Sequence, residues 1–176
     1  MSASPKPSDP SGRPARPVAL VTGAARRLGR AIAADLAAHG WDIALHHRAS
    51  AEEAEEAAAS WRDAGARVAV LAADLADEAA CRALVPQAVA ALGRLDAVVN
   101  NASRFDYDDA LSVDMASMER HWRVNTAAPV LLAQALAQHL AGGGRRGCVV
   151  NLLDQKLWNP NPDYFAYTLS KAALES

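Results

Sequence analysis

In the stretch "YTLSK", Tyr167 and Lys171 stand four residues apart, which on a helix places both side chains on one face. A lysine beside a phenol favours the phenolate and draws the phenol pKa towards neutrality. The phenol then becomes a usable proton donor and acceptor. The same string also arises on plain helix surfaces, so its meaning depends on what accompanies it. A second chemical stretch, "LVTGAARRLGRAIA", begins at Leu20. It reads as a strand, a tight turn at Gly23 and a helix entered near Gly29, whose free backbone N–H groups and positive end suit a pyrophosphate. Arg26 and Arg27 occupy the middle of that turn, where such loops often carry another glycine. Arg27 there projects from the turn and adds donors to the cradle.

The end of the second strand decides between two dinucleotides. Sites for NAD usually place an acidic residue there to bind the adenosine ribose 2′-hydroxyl. Here the strand runs into "HHRAS", with no carboxylate before Glu52. The planar fork of Arg48 suits a 2′-phosphate, with Arg26 on the neighbouring turn helping from the other side, so NADPH is preferred. Adjacent on a strand, His46 and His47 face opposite sides and cannot chelate one metal together, and no metal site is expected. Asp74, closing "LAAD", is either an acceptor for the adenine amino group or the N-cap of the next helix.

These residues must be positioned by a repeated pattern of strand and helix. "PVALVTG", "WDIALHH", "ARVAVLAAD", "RLDAVVNNAS" and "GGGRRGCVVNLL" each carry a strand. Between them lie helices from Leu28 to His39, stopped at Gly40, and over "SAEEAEEAAASWRDAG", with Ser50 as N-cap and Gly65 closing it. A third spans "DEAACRALVPQAVAALG", bent or broken by Pro86. Met115 to Leu140 is mainly helical, and a last helix begins near "YFAYTLSKAALES". Strands without clear alternation, each followed by a helix, predict a doubly wound parallel sheet of Rossmann type in three α/β/α layers. Ligands of such sheets bind beyond the carboxyl ends of the strands. Gly23 to Gly29, His46 to Arg48, Asp74, Asn100 to Ser103 and Asn151 to Asp154 all follow those ends.

The chain has 176 residues, 51% hydrophobic and 22% charged, enough for one well-buried domain over residues 17–176. Its formal net charge of −2 gives no general attraction to nucleic acid or to an anionic membrane. No apolar run has the length to span a bilayer, and Cys81 and Cys148 lack metal or redox spacing. Residues 1–16, rich in Pro, Ser and Gly, read as a disordered tail. The expected compartment is the cytoplasm, with an organellar address as the alternative.

"TGAARRLG", "NNAS", Asn125 in "RVNTAAP", and "YTLSK", in this order, resemble the short-chain dehydrogenase/reductase family from Pro17 to the end. In detail they resemble its pteridine reductase branch, known for an arginine-bearing glycine loop, an Asn-Asn-Ala-Ser segment and an aspartate in place of the active-site serine. That aspartate is Asp154, thirteen residues before the tyrosine. The resemblance implies that Tyr167 is the proton donor, that Lys171 holds the nicotinamide ribose and tunes it, and that Asn125 supports a water chain. It implies that Gly23, Arg26, Arg27 and Gly29, with Leu28 beside them, hold the cofactor. His47 beside Arg48, and Leu75 after Asp74, complete its adenosine side. Asn100, Ala102 and Ser103 line it further along. Phe105 is the implied aromatic face for a flat substrate, with Ser103 and Arg27 nearby. Asp154 would orient the substrate or assist its protonation. An ionised carboxylate is acceptor-only, so it opposes the oxyanion of ketone reduction and suits N–H donors or a C=N bond.

The resemblance thus implies an NADPH-dependent reductase of a pterin-like heterocycle, forming a homo-oligomer. Arg104, Lys156 and Trp158 depart from the branch on the substrate side. A carbonyl or imine reductase of another small molecule is the alternative within chemistry. Family members normally continue past this point with the rest of the helix and two more strands, so the sheet is expected without its C-terminal strands. A non-catalytic dinucleotide-binding fragment is accordingly the third reading.

Overall fold

A computed structural model of the chain describes residues 16–142 and 144–176. The expected tail lies outside the described residues except for Arg16, which donates to the carbonyl oxygens of Gly65 (2.6 Å) and Ala37 (2.9 Å). The elements run β1 (Val18–Val21), α1 (Arg27–Ala38), β2 (Asp42–His47), α2 (Ala51–Asp63), β3 (Val68–Ala72) and α3 (Glu78–Leu92). They continue with β4 (Ala97–Asn100), α4 (Met115–Trp122), a π-helical turn (Arg123–Ala127), α5 (Ala128–Ala141), β5 (Cys148–Asn151), a 3₁₀ turn (Gln155–Leu157) and α6 (Phe165–Glu175).

The strands pair in parallel in the order β3-β2-β1-β4-β5. Strand order reverses between β1 and β4, so a crevice opens beyond their carboxyl ends. Alternate residues of the central strands feed two cores. Val18, Leu20, Ala44 and Val98 pack with Leu84, Val85 and Ala88 of α3 and Leu132 and Leu136 of α5. Ala19, Val21, Ile43, Leu45 and Val99 pack with Ala33 and Ala37 of α1 and Ala54, Ala58 and Trp61 of α2. Burial on both faces is why β1 and β2 show no polar alternation.

Two local expectations are corrected, at Pro86 and Asp74, and a third, Ser50 as N-cap, is met in position only. Pro86 neither breaks nor ends α3, which runs through it from Glu78 to Leu92. Its missing N–H removes one helical bond, but Leu84, Val85 and Ala88 anchor the surrounding turns to the sheet. Ser50 stands at the start of α2 without a side-chain capping bond. Asp74 is not the N-cap of α3, because Asp77 fills that place and accepts from the Ala80 N–H at 3.0 Å. Asp74 instead bends the preceding turn, accepting from the Ala76 N–H at 2.9 Å.

Candidate active site

The glycine turn is held by backbone and side chains from three strand ends. Gly23 takes φ +66, and a Cβ on Gly29 would collide with the Gly23 carbonyl oxygen and the Asn101 side chain. Neither position admits a larger residue, which leaves the turn narrow. Asn101 Nδ2 donates to the Thr22 carbonyl oxygen at 2.8 Å, and the Thr22 hydroxyl accepts from the N–H groups of Asn101 and Ala102, both at 3.0 Å. His46, 2% exposed, accepts from the Gly23 N–H at Nδ1 (3.1 Å) and turns Nε2 to the Ala73 carbonyl oxygen (3.1 Å). Burial lowers the His46 pKa to about 4, with the neighbouring His47 adding to that, and the Ala73 bond and Asp74 opposing. The neutral ring is therefore the form that fits both contacts.

Gly23, Arg48, Asp74, Leu75, Ala102, Ser103 and Phe105, all expected at the site, line one cavity of about 250 Å³. His46 and Arg104, named from the sequence at a strand end and on the substrate side, also line it, as do Ala73, Asp106 and Val124, which the sequence did not single out. Arg26, Arg27 and Leu28 stand exposed on the turn beside it. Arg27 has φ +50, a left-handed backbone where glycine is at home. Arg26 is ion-paired with Glu53. No carboxylate stands between the end of the second strand and Glu52, as read from the sequence, and Glu53 arrives from the first turn of α2. His47 is buried on the opposite side of the strand, with Nδ1 unpartnered. Asn100 points along the sheet instead of into the cavity, donating to Asn151 Oδ1 at 2.8 Å.

The second half of the site is a buried network. The Tyr167 hydroxyl donates to Asp154 Oδ2 at 2.7 Å, and Lys171 Nζ donates to the Leu152 carbonyl oxygen at 2.7 Å. Lys171 Nζ lies 5.9 Å from the Tyr167 ring centroid, over the ring and away from a hydroxyl bond. Burial pushes the Tyr167 phenol well above its usual range, and the bond to Asp154 and its negative charge add to this, against a lowering by Ser103. That reverses the expected drift towards neutrality. The lysine's nearest bond goes to a carbonyl, while burial first and the Asp154 carboxylate second hold the phenol protonated. Burial raises the Asp154 carboxyl, but the bonds from Tyr167 and the Lys156 N–H and the charges of Lys171 and Lys156 outweigh it, holding Asp154 low. Burial lowers the Lys171 pKa, opposed by Asp154.

Asn125 sits in the π-turn and uses its whole amide. It accepts from the Arg104 N–H (2.7 Å) and the Ser103 hydroxyl (3.2 Å) and donates to the Arg104 carbonyl (3.0 Å) and Ser170 Oγ (2.9 Å). It thereby ties the loop after β4 to α6, as π-turns at functional sites often do. Asp108, also missed, caps α6 from afar. Its Oδ1 accepts from the Ala166 N–H (3.1 Å), its Oδ2 from the Ser117 hydroxyl (2.7 Å), and its carbonyl from the Tyr164 N–H (2.7 Å). Phe105 stacks on Tyr164 with centroids 4.0 Å apart and lies edge-on to Tyr167 at 4.6 Å. Asp154, Tyr167, Lys171, Asn125, Ser103 and Phe105 are thus brought together, and Ser103 and Phe105 also line the cavity. Among the described residues no three His, Cys, Asp or Glu side chains are grouped to hold a metal, and no helix is long and apolar enough to cross a membrane.

A parallel sheet with a glycine turn at its switch point and a Tyr–Lys pair beyond β5 defines a nucleotide-dependent dehydrogenase class. The short chain dehydrogenase family model matches residues 17–176, and the chain belongs to that family. It is 34% identical over 166 residues to a short-chain type dehydrogenase/reductase of Picea abies, covering 90% of this chain and 61% of that protein. It is 34% identical over 200 residues to pteridine reductase 1 of Leishmania tarentolae, covering 92% of this chain and 69% of that protein. Among solved structures, FolM alternative dihydrofolate reductase 1 from Brucella canis, complexed with NADP, superposes with a TM-score of 0.85 at 44% identity. The match covers 91% of this chain and 63% of that one, so the chain spans about six to seven tenths of these relatives.

Proposed function

We propose that this chain carries the cofactor-binding and proton-donating residues of an NADPH-dependent reductase acting on a flat, pteridine-like heterocycle. The observation that carries the reading is the bond from Tyr167 to Asp154, an acceptor-only group where ketone reduction calls for a donor. The names of the Leishmania and Brucella relatives support the same substrate class. The narrow turn at Gly23 and Gly29 fits a pyrophosphate, since any Cβ there would fill it. Arg48, Asp74 and Leu75 would hold the adenosine end, and Ala102, Ser103 and Lys171 the nicotinamide end. Bound NADPH supplies the hydride that the carbon of a C=N bond accepts.

The chain's own residues handle the proton. Tyr167, kept protonated by burial and by Asp154, holds at its hydroxyl the proton taken up by the substrate nitrogen. The electron pair left on the phenol oxygen is stabilised by the Lys171 ammonium over its ring. Asp154 accepts from substrate N–H groups and so fixes the ring's orientation. Phe105 supplies a flat face, and Arg27, exposed on the turn, donates to polar ring atoms. The exposed apolar side chains Trp122 of α4 and Leu169 of α6 form the face expected to meet a second copy.

The test is NADPH oxidation by the purified protein with a panel of dihydropterins and a panel of ketones of similar size. Turnover of dihydropterins with Asp154 intact, lost in Asp154→Ser while ketone reduction rises, is the expected result. Ketone turnover exceeding pterin turnover in the unaltered protein would overturn the substrate class.

A further inference from the structure

Glu53 and Arg26 are 27 residues apart in sequence, yet their side chains meet at the mouth of the glycine turn. A second ion pair, Arg30 with Glu56 at 3.0 Å, ties the same two helices one turn further along. The Arg26–Glu53 pair differs in its place, because Arg26 stands on the glycine turn itself and Glu53 in the first turn of α2, which follows the strand end that carries Arg48. Arg48 lines the cavity and has no ion pair among the described residues. The Glu53 carboxyl is held low by its own backbone N–H, then by Arg26, with smaller help from His47, so it is ionised at neutral pH. A phosphate arriving between Arg26 and Arg48 therefore meets a carboxylate already occupying one of the two cations. A ribose hydroxyl carries no charge and faces no such competition.

We propose that Glu53 limits the discrimination between the two dinucleotides, as a carboxylate latch on Arg26 that a 2′-phosphate must displace and a 2′-hydroxyl need not. The inference rests on the reading that the adenosine 2′-end binds beside Arg26 and Arg48. Under it, the second-strand arginine favours NADPH while the first helical turn of α2 opposes it. The chain's preference is then a difference between the two and not the sum of two arginines. Releasing the latch should sharpen selectivity by freeing Arg26 without adding any contact.

The experiment is a binding cycle on the purified protein, following nicotinamide fluorescence on titration with NADPH and with NADH. The variants are Glu53→Gln, Arg26→Gln, the two combined, and Arg48→Asp, with Glu53→Ala as a second release of the latch. Glu53→Gln should tighten NADPH about two- to fivefold, the range of one exposed ion pair, and change NADH by less. The gain should vanish when Arg26 is also replaced. An unchanged or weaker affinity for NADPH in both Glu53 variants would overturn the latch, as would a gain that survives loss of Arg26. Arg48→Asp reports separately on the site. If it fails to weaken NADPH more than NADH, the placement of the 2′-end is wrong, whatever Glu53 does.

Discussion

The glycine turn and the start of α6 are both fixed by buried polar side chains, but they expose opposite things. At the turn, Thr22, Asn101 and His46 satisfy the backbone from below and leave Arg26, Arg27 and Arg48 exposed. Around α6 the chemical groups are themselves inside the network, with Tyr167 5% and Lys171 3% exposed. A rim of exposed cations can be retuned by neighbours such as Glu53 at small cost to the fold. A buried phenol bonded to a carboxylate is coupled to that partner, so a change there is felt by the network around it. Under the proposed function, the contrast puts recognition of ligand charge at an adjustable surface and proton transfer in a fixed interior.

The sharpest break in that contrast is Tyr167→Phe. It removes only the hydroxyl that donates to Asp154, so NADPH affinity should hold while turnover falls about 10²–10⁴-fold. Single-turnover kinetics beside a fluorescence titration separate the two. A variant that keeps most of its turnover would move the proton to another donor, with Asp154 next in line.

The turn's frame can be tested through pH. His46 has its pKa lowered to about 4 in the folded protein from an ordinary value of 6.5. The unfolded chain thus takes up a proton that the folded chain excludes, and folding is favoured fully only above pH 6.5. That contribution, about 3 kcal/mol, is lost as pH falls from 6.5 towards 4. Urea midpoints at pH 7.5 and 4.5 should show a shallower fall in His46→Gln, whose amide oxygen can still accept from Gly23. An equal fall in both proteins would mean that His46 does not hold the turn as a neutral acceptor.

For the α6 frame, the corresponding residue is Asp108. Asp108→Ala leaves the Ala166 N–H and the Ser117 hydroxyl without their partner, at roughly 1–3 kcal/mol for each buried donor. Asp108→Asn keeps an acceptor for Ala166 and should lose much less. Thermal melts would rank the two, and turnover should fall in the alanine variant, because Tyr167 sits one position after Ala166. Equal melting temperatures for all three proteins would remove Asp108 from the account of how the tyrosine is held.

What could be read from sequence follows from the range of the interactions. The strands, the glycine turn and the spacing from Asp154 to Tyr167 are local patterns, and the family motifs that accompany them appear in chain order. Glu53 at Arg26, His46 at Gly23 and Asp108 at Ala166 are meetings of residues 27, 23 and 58 positions apart, made by packing alone. The direction of the Tyr167 shift escaped for a related reason. Helical spacing puts Lys171 on the right face, but only the fold shows that its ammonium is bound to Leu152 while a carboxylate takes the phenol. The π-turn at Asn125 has no composition signal at all, because its residues are those of an ordinary helix.

The smallest effect expected is also the one that most sharpens the contrast. Arg27 holds a left-handed backbone, φ +50, at the first residue of α1. For a side chain other than glycine that conformation costs about 1–2 kcal/mol, and a cation at a helix N-terminus opposes the helix dipole. Glycine would remove both terms and give back part of the gain through the greater freedom of the unfolded chain. Arg27→Gly should therefore stabilise the fold by a net of about 0.5–1 kcal/mol, read as a higher urea midpoint. Under the proposed function the Arg27 guanidinium donates to the ligands at the turn, so the same variant should bind NADPH more weakly and raise the KM for dihydropterin. A variant that gains stability and loses nothing in binding would make Arg27 a tolerated irregularity of the turn. One that loses both would place its side chain in the frame of the turn, on the same footing as His46.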